Sequence, residues 1–282
     1  MEQPASPRRS WPSRIGRFVL RWTVFYLGIV LVMWLLERKL AFHPTAAADG
    51  WEPPVAAGTQ DVSFPAADGT TIHAWWLPGP SREAGALLLA NGNGGNLSHR
   101  GELADHLHRK LGCGVLLFDY PGYDKNSGSP SEEGCYAAGE AAYQWLTTEA
   151  KVPANRVILM GESLGGGTAV ELATRHDHRA LVLLYTFTSL PAAAKYHYPF
   201  LPTHTIMRTR FDNFSKLPRC TRPVFIAHGT ADGVVPIAHG EALYAAANAP
   251  KEFFWVEGAG HSSALGVMMA DPLAKFLAAN AP

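Results

Sequence analysis

Five residues, Gly161-Glu162-Ser163-Leu164-Gly165, constrain the fold more than any other part of this 282-residue chain. They follow the short, largely apolar run 156–160 and precede a segment with a helical pattern. Glycines two residues before and two residues after the serine give the pattern G-x-S-x-G. A strand that enters a helix through so tight a turn strains the backbone at the serine, and larger side chains at the two glycine positions would collide with neighbouring elements. The pattern therefore predicts a serine oxygen exposed at the end of a sheet.

Apolar runs and helical patterns alternate along the chain from about residue 60. Strands are predicted at 61–64, 71–77, 86–90, 115–118, 156–160, 180–185, 223–227 and 252–256. Helices are predicted at 98–111, 132–148, from the serine turn to about 176, 237–247 and 263–279. This order favours an α/β fold with a mostly parallel sheet of about eight strands and helices on both faces. Functional residues are then expected at the carboxyl ends of the strands.

Composition and charge exclude several classes of protein. Lys plus Arg equals Asp plus Glu at 24 each, so the chain lacks the basic balance of a nucleic-acid-binding protein. Cys113, Cys135 and Cys220 form no C-x-x-C pair, and no H-E-x-x-H motif is present. No metal or cofactor is therefore predicted. Three buried thiols are favoured over a Cys113–Cys135 disulfide.

The N-terminal segment differs in kind from the rest. Residues 18–36 are apolar except for Arg21. The length of this segment is near the shortest that spans a bilayer. Arginines dominate residues 1–17, so this basic tail is predicted to stay in the cytoplasm and the remainder to cross the membrane. Residues 37–59 are interpreted as a linker and 60–282 as the globular domain, which is expected to be extracytoplasmic and monomeric.

Two other interpretations of the apolar segment agree less well with the residues that flank it. A cleaved signal peptide needs small residues just after the apolar core, but Glu37-Arg38-Lys39 stands there, and Ala46-Ala47-Ala48 lies rather far downstream. A buried core helix fits poorly with an arginine-rich flank at a chain terminus. An uncleaved membrane anchor is the favoured prediction.

Ser163 needs a base to accept its proton and an acid to orient that base. His261 follows the last predicted strand in a glycine-rich loop, and Asp232 lies in the loop after strand 223–227. The order Ser163, Asp232, His261 is the one expected after a turn of this type. Asp212 and Glu257 are weaker candidates for the acid, and Asp232 itself could be a turn-capping residue.

An oxyanion hole is predicted from two backbone N–H groups. Leu164 begins the helix, where free N–H groups point outward, and Asn93 lies in the glycine-rich loop 91–96. A plain glycine turn is the alternative for that loop. Residues 187–217, rich in aromatics and prolines, are interpreted as a small cap over an acyl or peptide pocket.

Several motifs beyond the serine turn carry a family resemblance. They are FHP at 42–44, NGNGGN at 91–96, FDYPGY at 118–123, GSPSEEG at 128–134, HGTAD at 228–232 and GH at 260–261. From about residue 40, the chain resembles the α/β-hydrolase superfamily, and most closely its membrane-anchored serine-hydrolase branch, the bud-emergence-type proteins and their bacterial relatives. Asn91 replaces that branch's histidine, and Asp124 replaces a glycine.

The resemblance implies a serine hydrolase that cleaves an ester, thioester or amide through an acyl-enzyme, with Ser163, Asp232 and His261 as the triad. A carboxylic ester or thioester is favoured over a peptide, and tethering to a membrane makes a small or lipid-like acyl substrate plausible. An acyltransferase with the same residues and a membrane-tethered, non-catalytic binding module are the alternatives.

Overall fold

A computed structural model describes residues 11–262 and 264–281, with side chains from Arg14 onward. Its centre is one eight-stranded sheet, which confirms the predicted fold class. The strands are β1 (Gln60–Pro65), β2 (Thr71–Leu77), β3 (Ala86–Ala90), β4 (Gly114–Phe118), β5 (Val157–Glu162), β6 (Ala180–Leu184), β7 (Val224–Gly229) and β8 (Lys251–Val256). The order across the sheet is β1-β2-β4-β3-β5-β6-β7-β8.

Ten α-helices lie in the described part of the chain. They are α1 (Trp11–Ala41), α2 (Gly101–Leu111), α3 (Glu132–Thr148), α4 (Gly165–Arg175), α5 (Leu190–His197), α6 (Thr203–Ile206), α7 (Asn213–Lys216), α8 (Ala238–Ala246), α9 (Ala264–Met268) and α10 (Ala270–Asn280). Ser131 caps α3 by accepting a hydrogen bond from Gly134 N, as its place before a helical pattern predicts. Helices α5 to α7 lie between β6 and β7, in the segment 187–217 that is predicted to be the cap.

The sheet is antiparallel only at one edge. The hairpin β1–β2 pairs with β4, and all pairs from β4 to β8 are parallel. Side chains along the buried strands alternate between two apolar layers. Leu88 packs with α3, α4 and α8 on one face, whereas Leu87 and Leu89 pack with α2, α9 and α10 on the other. This double cover explains why the central strands are apolar throughout.

Three element boundaries differ from the prediction by more than two residues. Residues 97–100 form a separate 3₁₀ turn, capped by Asn96, before α2 begins. The C-terminal helix is divided into α9 and α10 because Pro272 has no N–H for the carbonyl of Met268 and its ring would clash there. Helix α1 continues to Ala41, so the predicted linker begins several residues later than 37.

Helix α1 contains the predicted anchor. From Arg14 to Ala41 it is long and apolar enough to cross a membrane. Residues 1–10 of the predicted basic tail lie outside the described residues. All three cysteines are buried free thiols, so the alternative Cys113–Cys135 bridge is not formed.

Gly165→Ala should lower the free energy of unfolding by about 1–3 kcal/mol or prevent folding. A Cβ on Gly165 would lie 2.1 Å from the carbonyl oxygen of Ala90, because α4 crosses the end of β3 at close range. The matched control is Gly94→Ala, whose Cβ would meet nothing within 4 Å. Urea unfolding of both variants tests this, and equal stabilities would contradict it.

Candidate active site

Ser163 sits at the sharp turn between β5 and α4. Its φ of 51° lies in the left-handed region, which is the strain that the flanking glycines predicted. The turn is held by tertiary bonds: Ser163 N donates to Leu184 O at 2.9 Å, and Thr186 Oγ1 donates to Ser163 O at 2.6 Å. These bonds fix the strained backbone in place, so the hydroxyl has a defined position.

The three side chains predicted as a triad lie in one hydrogen-bonded row. His261 Nε2 is 3.0 Å from Ser163 Oγ, and His261 Nδ1 is 2.7 Å from Asp232 Oδ2. Each residue follows the carboxyl end of a strand, Ser163 after β5, Asp232 after β7 and His261 after β8. The row thus brings together residues that are 98 and 29 positions apart in the sequence.

Asp232 combines the hydrogen bond to His261 with the turn-capping role that was its alternative. Its Oδ1 accepts hydrogen bonds from Val234 N and Val235 N, both at 2.8 Å, which leaves Oδ2 for His261. Burial would raise the pKa of Asp232, but bonds from His228, His261 and Val235 N outweigh it and hold the pKa well below its ordinary value. The carboxylate is therefore ionised throughout the neutral range.

The two predicted oxyanion donors lie beside Ser163. Among the described residues, neither Asn93 N nor Leu164 N donates to an internal acceptor. The loop of Asn93 is close to the serine, since a Cβ on Gly92 would lie 3.6 Å from Ser163 Cβ. The side chain of Asn93 fixes that loop: its Oδ1 accepts from Tyr123 Oη at 2.6 Å. Both N–H groups are thus free for a ligand.

Asn91, which replaces the family's histidine, still supports the loop. Its Nδ2 donates to Asp119 Oδ1 at 2.7 Å, and Tyr120 Oη donates to Asn91 O at 2.8 Å. Asp119 is fully buried. Burial raises the pKa of Asp119 to about 7, although hydrogen bonds from Asn91 and Leu97 N lower it in part.

The raised pKa of Asp119 predicts that stability falls between pH 4 and pH 7. Its pKa is 3.8 in the unfolded chain and about 7 when folded, so the folded state binds the extra proton in this window. Stability from this group is complete below the unfolded pKa and is lost as the pH rises, with a slope of at most about 1.4 kcal/mol per pH unit. Urea unfolding from pH 5 to 8 should show this slope in the wild type and not in Asp119→Asn. Parallel profiles would contradict it.

Asp124, the second departure from the family motif, does not add a charge to the cavity. It adopts φ 54° and is buried against Nδ1 of His73, whose Nε2 lies 2.6 Å from Asp61 Oδ1. Burial lowers the pKa of His73, but the two carboxylates raise it more, so the pKa lies above its ordinary value. Asp124 is therefore held against His73 in the interior and does not line the cavity.

A network that the sequence did not reveal surrounds the serine turn. Arg100 Nε lies 2.9 Å from Glu162 Oε2, and Arg100 Nη2 donates to Gly94 O at 3.2 Å. Tyr185 Oη donates to Glu162, and its ring centroid is 4.4 Å from that of His261. The network therefore connects the glycine-rich loop 91–96, the serine turn and His261. The only sequence signal was the position of Glu162 next to Ser163.

Ser163 and His261 open into a cavity of about 660 Å³, within the usual range for small-molecule sites. Of the six aromatics predicted for the cap, Phe187 and Tyr198 line this cavity. Phe211 is buried, while Tyr196, Phe200 and Phe214 are exposed. Helix α1 supplies a wall that the sequence did not predict, and its lining residues are Met33, Trp34, Glu37, Leu40 and Ala41. His43, two residues after the helix, also lines the cavity. Across residues 11–262 and 264–281, no group of three or more His, Cys, Asp or Glu is arranged to hold a metal ion.

Comparisons with known proteins identify the class. A family model described as the alpha/beta hydrolase fold matches residues 85–203. An uncharacterized protein of Mycobacterium tuberculosis is 37% identical over 254 residues, covering 89% of this chain and 90% of its own length. Alpha/beta hydrolase domain-containing protein 17B of Homo sapiens is 36% identical over 177 residues, covering 62% of this chain and 60% of the human protein.

Solved structures share the fold at low identity. An esterase of Pyrococcus furiosus superposes with a TM-score of 0.66 at 16% identity, over 82% of this chain and 98% of that one. The esterase domain of a Rhodothermus marinus protein gives a TM-score of 0.63 at 20% identity, over 80% of this chain and all of that one. The chain belongs to the α/β-hydrolase superfamily, and this membership supports hydrolase activity.

Proposed function

We propose that this protein is a serine hydrolase that cleaves a carboxylic ester or thioester through an acyl-enzyme, with Ser163, His261 and Asp232 as its triad. The hydrogen-bonded row from Ser163 Oγ to Asp232 Oδ2, with distances of 3.0 and 2.7 Å, carries the proposal. Free backbone donors beside the serine and an adjoining cavity complete the requirements for acyl transfer.

In the first half of the reaction, Ser163 Oγ attacks the substrate carbonyl carbon while His261 Nε2 takes the hydroxyl proton. Asp232 accepts the Nδ1–H bond, holds the productive tautomer and stabilises the imidazolium. The negative charge on the carbonyl oxygen is held by the N–H groups of Asn93 and Leu164, each worth a few kcal/mol at the transition state. Collapse breaks the bond to the leaving group, which receives the proton from Nε2.

In the second half, water takes the place of the leaving group. His261 Nε2 accepts a proton from the water as its oxygen attacks the acyl carbon, and the same two N–H groups hold the second oxyanion. Collapse releases the carboxylic acid and returns the proton to Ser163 Oγ. The network of Arg100, Glu162 and Tyr185 keeps the serine turn and the imidazole in the same relative position during both halves of the reaction.

We also propose an uncleaved anchor with a cytoplasmic N-terminus and an extracytoplasmic domain. Arg14, Arg17 and Arg21 precede the uncharged part of α1, and basic residues mark the cytoplasmic side of a span. A topology reporter fused after Pro282 should signal from outside the cytoplasm. A cytoplasmic signal would reverse the orientation.

A fluorophosphonate probe and a ladder of p-nitrophenyl esters test the activity. The full-length protein in detergent should take one label, which peptide mass spectrometry should map to Ser163, and should hydrolyse at least one ester. No label and no turnover would favour a binding module. Label with turnover only in the presence of an alcohol or thiol acceptor would favour an acyltransferase.

A further inference from the structure

Helix α1 contacts the cap at several positions along its length, so it contributes to the cavity as well as to the proposed anchor. Near its middle, Tyr26 Oη donates to Phe200 O at 2.9 Å. Two and three turns further on, Arg208 lies over the Trp34 ring at 4.5 Å, and its Nε is 3.2 Å from Glu37 Oε2.

The C-terminal end of α1 contacts the glycine-rich loop 91–96, which contains the predicted oxyanion donor Asn93. Asn93 Nδ2 donates to Ala41 O at 2.8 Å, and His43 N donates to Asn93 Oδ1 at 3.0 Å. Met33 and Ala41 both line the cavity that holds Ser163. They are eight residues apart, so the cavity extends about 12 Å along the helix away from the loop.

The length of α1 sets the depth of the cap in a bilayer. The uncharged stretch 22–36 is about 22 Å long, which is less than the hydrocarbon thickness of about 30 Å. Tyr26 lies ten residues, or about 15 Å, inside the domain-side end of that stretch. A bilayer that surrounds this stretch must therefore also surround Phe200, which is bonded to Tyr26.

The tip of the cap suits that environment. Tyr196, Tyr198 and Phe200 are exposed at 58%, 39% and 60%, an unusual cluster of large apolar side chains for a surface in water. The contact between α1 and the cap therefore lies within the lipid bilayer.

The cavity changes in character along its length. Ser163 and His261 line one part of it. Beside the polar Glu37, His197 and Thr203, α1 and the cap contribute mostly apolar side chains. These are Met33, Trp34, Tyr198, Leu201, Ile206 and Met207. The nearby carboxylate of Glu37 is occupied, since it accepts from Arg208 N and Thr209 N at 2.9 and 2.7 Å. An apolar chain fits this part better than a charged group does.

We propose that the substrate is a lipid ester resident in the bilayer, whose acyl chain enters sideways between α1 and the cap, and that Met33 of α1 helps to select the chain. This inference rests on the proposed serine-hydrolase function. It assigns the anchor helix a direct part in substrate binding, because removing the helix would remove one apolar wall.

Variants of α1 test whether this helix forms one wall of the acyl-chain site. Full-length protein in phosphatidylcholine vesicles is assayed on p-nitrophenyl palmitate and p-nitrophenyl acetate. Met33→Trp should lower the ratio of long-chain to short-chain kcat/KM by about tenfold, because it fills space that the chain needs. The matched control Leu35→Trp, at a position 62% exposed and outside the cavity lining, should keep the wild-type ratio. Met33→Ala should move the preference toward longer chains, a change that misfolding does not produce.

The route is tested by where the palmitate ester is placed. Ester in the same vesicles as the protein should be cleaved at least about tenfold faster than ester in separate vesicles. Equal rates would show capture from water and overturn the bilayer source. Equal ratios of long-chain to short-chain kcat/KM for Met33→Trp and Leu35→Trp would contradict the role of α1 in binding the acyl chain, while leaving the hydrolase proposal intact. A wild-type protein inactive on both esters and unlabelled by fluorophosphonate would overturn the proposed function itself.

Discussion

Ser163→Ala is expected to lower kcat for ester hydrolysis by about 10⁵- to 10⁶-fold and to abolish fluorophosphonate labelling. The variant removes the hydroxyl oxygen that lies 3.0 Å from His261 Nε2, which is the proposed nucleophile. The oxyanion donors and the cavity remain, so a residual acceleration over water should persist.

The measurement compares single-turnover rates of the wild type and the variant on the best ester of the ladder. Ser81→Ala is the matched control, since Ser81 lies in an exposed loop, does not line the cavity and should keep full activity. Both variants should unfold at similar urea concentrations. Turnover by Ser163→Ala within tenfold of the wild type would remove Ser163 as the nucleophile.

Asp232→Asn should lower kcat by about 10⁴-fold while the fold is kept. The Asn side chain can still accept the bonds from Val234 N and Val235 N through its oxygen, which preserves the turn. It presents an amide in place of the carboxylate at 2.7 Å from His261 Nδ1. The imidazole then loses its orienting anion and favours the tautomer that cannot accept the Ser163 proton.

Asp177→Asn is the control for this change of charge. Asp177 pairs with Arg222 on the surface, outside the cavity lining, and exposed pairs of this kind contribute about 0–1 kcal/mol to stability. Its kcat should equal that of the wild type. A similar loss in both variants would assign the effect to net charge, and a loss below tenfold in Asp232→Asn would point to another acid, such as Glu257.

The predictions that came from local pattern agree well with the structure. The apolar runs became the eight strands because a buried parallel sheet leaves few other places for such runs. The exceptions were at boundaries. Pro272 divided the last helix, and Asn96 capped a separate turn, since short-range hydrogen bonding decides where a helix begins and ends. The roles of the triad residues stay predictions until the variants are measured.

Other parts of the site depend on contacts that no local pattern records. Arg100 and Glu162 are 62 positions apart, and Trp34 and Arg208 are 174 apart. Each pair forms only because separate elements meet at one end of the sheet. Asp124, which replaces a glycine of the family motif, is buried because it contacts Nδ1 of His73 on β2.

The serine turn was determined by sequence alone: two glycines, a preceding strand and a following helix leave the chain one way to expose Ser163. Only the tertiary structure decided what surrounds that oxygen. It aligned Asp232 and His261 with the serine, connected Glu162 to Arg100 and Tyr185, and brought helix α1 against the cavity. The physical reason is that strain and backbone geometry act between chain neighbours, whereas hydrogen bonds and apolar walls form between residues that folding brings together.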